Sequence, residues 1–584
     1  MKIILDKTED NTKMQRRFYF NSHIKSHLNS HFKSHIKSLF LRTLFIALLV
    51  STILIVVGKS EGVENGENTQ DIESANIIDN DDIEAKVDSP IKIAQEGSGK
   101  GIVWGKSIKS KDLEAKAETQ ATVPQTRTET STPLQKTTVQ RPISAVRLPE
   151  KTEPAKLPAN IANISEEKFL LKSSRQSGST DLVETLLEVT GDVKQVSNDL
   201  KATTDKMEVV AGFRYEERVE QFSHSTGPLV SIRQYNLAKS KMKIGEQIKM
   251  PELDEELQTI VCSLEGDKVS LFSPRGLLRG EQLLLIEDLP GNTLTLDRLL
   301  PNKEMRVGDT WKISDSVLRS FLSVDAVTES NVEAVLTAVA DKMAMIEVVG
   351  DVSGVYLGAA TEMSIRAKFQ FDLNLRRINW LGLLIEENRS IGHVGPGLDL
   401  VARLQVKISP IEVPQVLTDN AIREINTKPS DNILKLKYNG GKGPWRFSHD
   451  RDWYIFQDDP QTTILRKLHK GELVAQCNIA DMGKVDIKTM TTLDKFKKEL
   501  ADGLGKNFGK IVAAGEHTNK FGYKVFTVLI DGTVEELSLR WIYNLMTDQN
   551  GQQSVVVFVV EADMLEQFAD ADEVLLKTYQ MGKK

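Results

Sequence analysis

Apolar and polar residues alternate with a period of two through much of the middle of the chain. In "EMSIRAKFQFDL", Met363, Ile365, Ala367, Phe369, Phe371 and Leu373 fall on one side, and Ser364, Arg366, Lys368, Gln370 and Asp372 on the other. Successive side chains of a strand point to opposite faces, so this pattern predicts a half-buried antiparallel strand. "LDLVARLQVKI" does the same with Leu400, Ala402, Leu404, Val406 and Ile408. Further strands are expected at "DLVETLLEVTGDV", "KMEVVAGFRYEER", "QTIVCSLEGDKVSLF", "VEAVLTAV" and "MAMIEVVGDV", separated or ended by Gly266-Asp267 and Gly350-Asp351 turns. A short helix is expected at "SDSVLRSFL", with Asp315 at the positive end of its dipole. "PNKEMRVGDTWKI" reads as a tight Gly308-Asp309 turn that carries Trp311 into the core. Residues 165–416 are therefore expected to form one β-rich domain, a large twisted or half-barrel antiparallel sheet.

The pattern changes after the polar stretch 417–433, read as a linker. Within 434–584, "LKYNGGKGPWRFSHDRDWYIFQDDPQTTILRKLHKGELVAQCNIA" predicts three strands, with turns at Gly440-Gly441, His449-Asp450-Arg451 and His469-Lys470-Gly471. In "TTLDKFKKELADGLGKNF", Leu493, Phe496, Leu500 and Leu504 recur at three- and four-residue steps behind the capping residues Thr491 and Thr492, which predicts an amphipathic helix. Strands follow at "KIVAAGEHT" and "YKVFTVLIDG", then a hairpin about a two-residue Asn550-Gly551 turn. A last helix would turn Met564, Phe568, Leu575 and Tyr579 inward. This order, βββ-α-ββββ-α, opening on "WRFSHDRDWYIF" with its Trp445 and Trp453 strands, resembles the PsbP-like family of photosynthetic extrinsic subunits and bacterial envelope proteins. The resemblance implies an α/β/α sandwich and binding or assembly work rather than chemistry. The Pro301–Ile313 stretch is similar to an element of uncharacterised β-rich exported bacterial envelope domains. Together the expected fold class is α+β: an antiparallel β-rich domain followed by a PsbP-like sandwich.

The N-terminal region is neither. Leu44 to Val57 is apolar apart from Ser51 and Thr52, and the run extends back to Leu39 through Arg42. About 20 helical residues span a bilayer core, so 43–58 reads as a signal anchor or a signal-peptide core, cleaved after Ser60 in the second case. Lys and Arg dominate residues 1–42, and the stretch after the apolar run is acidic, which orients the bulk of the chain outside the cytoplasm. The start, Met1 or Met14, is open. Residues 59–164, first acidic and then rich in Thr and Pro, are expected to be a disordered linker. The expected location is the cell envelope, with the membrane contacted through residues 39–58; cleavage would make the protein secreted or periplasmic.

Charge and composition narrow the chemistry. The net charge is −7, which does not favour a nucleic-acid partner. The two cysteines, Cys262 and Cys477, have no CxxC neighbour and read as small buried apolar residues. No phosphate loop, nucleophile elbow, H-E-x-x-H or EF-hand pattern is present. The clustered histidines, His23, His27, His31 and His35, recur every four residues in "SHIKSHLNSHFKSHIKS". Neighbouring pairs share a helix face, but all four spread over about 120°, too far to close one tetrahedral metal site. They are weak metal candidates, on a basic amphipathic stretch suited to a membrane surface. His449-Asp450-Arg451-Asp452 brings acid, base and cation together, yet a polar turn needs the same residue types. Glu386-Glu387 is an acid–base pair or a strand end, and His224, His393, His469 and His517 stand singly. No catalytic residue and no cofactor is expected. The reading is a non-catalytic exported envelope protein that binds or scaffolds envelope proteins; the alternatives are a carrier of a lipid or other apolar ligand in the β-rich domain, and an uncharacterised enzyme.

Overall fold

The computed structural model describes residues 166–582 apart from 197–201, 224–226, 288 and 440. The basic head, the apolar run, the linker and the four clustered histidines lie outside the described residues. Among those described, no helix is long and apolar enough to cross a membrane. The described residues are mostly β-sheet, and their paired strands run antiparallel.

The first large sheet has 13 strands. Its order is Lys268–Phe272, Thr259–Glu265, Gly227–Ile244, Ala202–Ser223, Thr180–Val196, Gly397–Pro410, Arg377–Arg389, Ala359–Asp372, Met343–Tyr356, Glu333–Ala340 and Thr310–Lys312. Gln247–Lys249 and Ala326–Ser330 add short side pairings. The expected alternation is met: Met363, Ile365, Ala367, Phe369 and Phe371 are buried, as are Leu400, Leu404, Val406 and Ile408. Three short helices, Gly280–Glu287, Thr293–Leu296 and Asp315–Phe321, pack on this inner face. They bring Leu283, Leu294 and Phe321 into one core with Phe213, Phe369 and Leu404. Ser314 caps the third helix by accepting from Val317 N–H. Trp311 is half-buried against the core, with its indole N–H donating to the Leu299 carbonyl at 2.9 Å.

One expected turn is absent. Gly350-Asp351 lies inside the continuous strand Met343–Tyr356, which turns at Leu357-Gly358. Two strands, Ala326–Ser330 and Glu333–Ala340, share this partner, and the break between them lies opposite Gly350. A Cβ on Gly350 would stand 2.5 Å from Val332 Cα, so glycine serves close approach here rather than a reversal.

The second large sheet has seven strands, ordered Trp453–Asp458, Thr462–His469, Glu472–Lys484, Gln552–Glu561, Leu537–Thr547, Lys524–Val534 and Phe508–Thr518. Both faces are covered. Val556, Phe558 and Val560 pack with Trp445, Phe568, Leu575 and Tyr579, while Val555, Val557 and Val559 pack with Phe496, Leu500 and Leu504 of helix Leu493–Leu504. A strand buried on both sides loses its polar phase, which explains the unbroken "SVVVFVV". Four details differ from expectation. The region before the helix holds five strands, not three, because Leu436–Tyr438 forms a short strand of its own paired with Trp445–His449 and the chain reverses again at Asp459–Gln461. The last hairpin closes through the four-residue loop Asp548–Gly551 rather than a two-residue turn, with Asp548 accepting from Asn550 and Gln552 N–H. The final helix is broken into Leu565–Phe568 and Ala571–Leu576 by Ala569, whose φ of 48° is left-handed. Tyr579 follows the second piece and is buried by chain return, not by helix periodicity.

The stretch 417–433 is laid against the outer face of the first sheet. Leu417 is buried with Val230, Ile232, Val261 and Phe272. The Glu216 carboxylate accepts from the backbone N–H groups of Gln415, Val416 and Leu417, and Arg218 pairs with Asp419 at 2.6 Å.

Candidate functional site

Polar residues enter the inner face of the first sheet at one end. The register sets Asp181 opposite Glu217, and Glu217 opposite Arg233, across three neighbouring strands. Two carboxylates directly opposite one another repel. Arg175, from the segment leading into the sheet, resolves this by lying 3.1 Å from Glu217 and 3.5 Å from Asp181. Arg377 pairs with the other oxygen of Asp181. On the far side Arg233 donates to Glu217 at 2.8 Å and to Asn292 Oδ1 at 2.6 Å, and sits over the Tyr215 ring. Ser231 and Thr293 hydroxyls also donate to Glu217. Burial pushes the Glu217 carboxyl up, but Arg233 and Arg175 more than offset this and hold it down at about 2. Glu217 thus stays ionised, whereas burial pushes the Asp181 and Asp297 carboxyls up despite Arg175 beside both. Three guanidiniums meet three carboxylates, counting Asp297, which lies 3.9 Å from Arg175 and accepts from Ser173 Oγ.

Beside this network is a cleft of about 410 Å³. Lys172, Arg175, Arg298, Arg376, Asp297 and Val317 are among its walls. Arg298 is committed to Asp267 and to the Gly266 carbonyl. Among the described residues, no carboxylate pairs with Lys172 or Arg376.

The residues singled out for chemistry fall elsewhere. His449 is buried and its Nδ1 lies 2.9 Å from the Asp450 carbonyl; burial lowers its pKa and keeps the ring neutral. Arg451 reaches out of the same turn: Nη2 donates to the Leu271 carbonyl at 2.6 Å, Nε to Leu434 O at 2.7 Å, and Nη1 pairs with Glu287 at 3.4 Å. Asp452 pairs with Lys467. The turn is therefore a joint between the two sheets. Further joint contacts are Lys437 N–H to Leu278 O at 2.8 Å, Arg466 to the His393 carbonyl, and the Gly358 turn resting on the Gly471 turn so closely that a Cβ on Gly358 would lie 2.1 Å from Gly471 O. Glu386 and Glu387 point to opposite faces of their strand; Glu387 accepts from Thr361 and Arg389 and cannot act with Glu386 as an acid–base pair. His469 and His517 are exposed, and His224 lies outside the described residues. Both cysteines are free and buried, and burial pushes the Cys262 thiol up to about 11. No group of three or more potential metal ligands occurs among the described residues.

Comparison with known proteins adds little beyond this geometry. No protein-family model matches the chain, and no curated protein does. Over 27% of its length the chain is similar to cyanobacterial PsbP (CyanoP) from Synechocystis sp. PCC 6803, covering 98% of that chain at 11% identity and a TM-score of 0.20. It is similar to lipovitellin over 42% of its length and 26% of that chain, at 7% identity and a TM-score of 0.23. The translocator domain of the autotransporter NalP from Neisseria meningitidis is matched at 8% identity, over 66% of this chain and 88% of that one, with a TM-score of 0.11. None of these likenesses assigns an activity.

Proposed function

We propose that this is a non-catalytic exported envelope protein, tethered or released by its N-terminal apolar run, whose two β modules form one scaffold for binding envelope partners. The second module takes the PsbP-like α/β/α form. The observation that carries this reading is the joint. Arg451 reaches across it to the Leu271 carbonyl and the Glu287 carboxylate while its Nε holds the Leu434 carbonyl, Arg466 and Lys437 add backbone-directed bonds, and the 417–433 strap is clamped by Glu216 and Arg218. Hydrogen bonds to charged groups contribute about 1.5–3 kcal/mol each, and flexibly strung domains need none of them. Two modules fixed in this way present their outer surfaces at a set spacing. Over the lipid-carrier alternative, the reading is favoured by the inner face of the first sheet, which is occupied by the chain's own Leu283, Leu294, Leu318 and Phe321.

Crosslinking in intact cells followed by mass spectrometry tests the proposal. Envelope proteins should be recovered on surface lysines of both modules from the same complex. Recovery of none, together with lipid that copurifies in native mass spectrometry, would overturn it in favour of a carrier. N-terminal sequencing of the mature chain separates the anchored form from one beginning near Glu61.

A further inference from the structure

We propose that the cleft beside the buried ion network binds a phosphate monoester group, held by Lys172 and Arg376. The cleft's volume of about 410 Å³ is that of a small-ligand site. Its four cations face one carboxylate, Asp297, which is already taken up by Ser173 and Arg175. Arg175 and Arg298 are bound to protein acceptors on their own account. That leaves Lys172 and Arg376, two positive charges, to match the charge of nearly two on a phosphate monoester.

The backbone at Arg376 is the second observation. Its φ is 51°, a left-handed conformation that glycine or asparagine adopts with less strain. The turn is pinned there: Ser174 N–H donates to the Arg376 carbonyl at 2.8 Å, Ser174 Oγ donates to Leu375 O at 2.8 Å, and Asp372 accepts from Asn374 and Leu375 N–H. None of these bonds uses the arginine side chain, whose Nε is buried without a hydrogen-bond partner. A strained position that carries a long cation with no carboxylate partner, set in the wall of a cleft, points to a ligand rather than to stability. Val317 gives the same cleft an apolar side, so an ester with a hydrocarbon part fits better than inorganic phosphate. The proposal does not depend on the scaffold reading, because the joint contacts use none of these residues.

The test uses the full chain in detergent, titrated calorimetrically with phenyl phosphate and with inorganic phosphate, alongside Arg376→Gly and Lys172→Gln. Phenyl phosphate should bind more tightly than inorganic phosphate, and each substitution should weaken it at least tenfold. Arg376→Gly should melt no lower than the parent, since glycine relieves the left-handed strain, so loss of binding in that variant is not loss of fold. Sedimentation with vesicles of phosphatidylcholine containing phosphatidic acid distinguishes the source. Vesicle binding lost in Arg376→Gly assigns the phosphate to a lipid headgroup; phenyl phosphate binding without vesicle binding assigns it to a soluble ester. Absence of both, or binding that both variants retain, overturns the proposal.

Discussion

The two sheets solve burial differently. The 13-stranded sheet keeps its alternation because one face takes the core and the other stays largely polar, and it admits a row of charges at one end of its inner face. The seven-stranded sheet is sandwiched by side chains on both faces, and its central strand Gln552–Glu561 is buried almost throughout. One half depends on paired charge at a place where the other would use hydrocarbon. The difference teaches that a buried ion row is a matter of completeness. Asp181, Glu217 and Arg233 are tolerable side by side only because Arg175 and Arg377 close the row from outside the register.

The sharpest way to break the comparison is to open that row. Arg233→Met removes the principal partner of Glu217 and leaves that buried carboxylate with Arg175 as its one guanidinium, which should destabilise the first sheet by about 3 kcal/mol. Phe558→Ala, fully buried in the second sheet, should cost a similar ~3–5 kcal/mol by leaving a cavity. Hydrogen exchange separates them. The first should release strands 202–244 and the second strands 537–561; release of both halves by either variant would show that the sheets unfold as one unit.

Acid should distinguish the halves next. The folded Glu217 carboxyl titrates at about 2, against an ordinary value of 4.5. As pH falls the unfolded chain takes up this proton first. The stabilisation is therefore whole above about pH 4.5, fades between about 4.5 and 2, and is on the order of 3 kcal/mol. In the second half the group is His449, whose pKa burial lowers. Its unfolded form charges first, so that module should begin to weaken already as pH drops through about 6.5. Urea midpoints of Glu217→Gln and His449→Gln across pH 3–8 check the order. A parent protein whose two halves lose stability in the same pH window would contradict it.

Much of the fold was legible because alternation and helical spacing are written in residue types. Met363 to Phe371 and Phe496 to Leu504 fell where their periods put them. What escaped was decided by contacts distant in sequence. Gly350 looked like a turn residue until a neighbouring strand break required close approach, and Ala569 breaks a helix that its composition does not break. The ion network left one readable trace: Glu217 lies in the same phase as Ala211, Phe213 and Tyr215, so a charge occupies an apolar phase. Arg175 and Arg377 could not be assigned to it without the topology. The "SHDRDW" turn was correctly conspicuous, but its arginine serves a joint, not a reaction.

Loosening that joint should cost less than opening the network. Arg451→Ala removes hydrogen bonds to two carbonyls in a half-buried setting, about 1–3 kcal/mol. Exchange at the Lys437 N–H, bonded to Leu278 O, should accelerate while exchange inside both sheets is unchanged. Unchanged exchange at Lys437 would mean that the strap, Arg466 and the Gly358–Gly471 contact fasten the modules without Arg451.

The smallest effect should come from a cap. Thr492 Oγ1 accepts from Lys495 N–H at the start of helix Leu493–Leu504, and Thr492→Ala should cost about 1 kcal/mol. Thr492→Ser keeps the acceptor and should cost almost nothing. The helix buries Phe496, Leu500 and Leu504 against only one face of the second sheet, whereas Tyr579 and Phe568 belong to the other. Faster exchange in 493–504 with unchanged protection at 571–579 would show that the two faces respond separately although they share strands 472–484, 524–534, 537–547 and 552–561. Equal loss on both faces would make the seven-stranded sheet, unlike the charged one, a single cooperative slab.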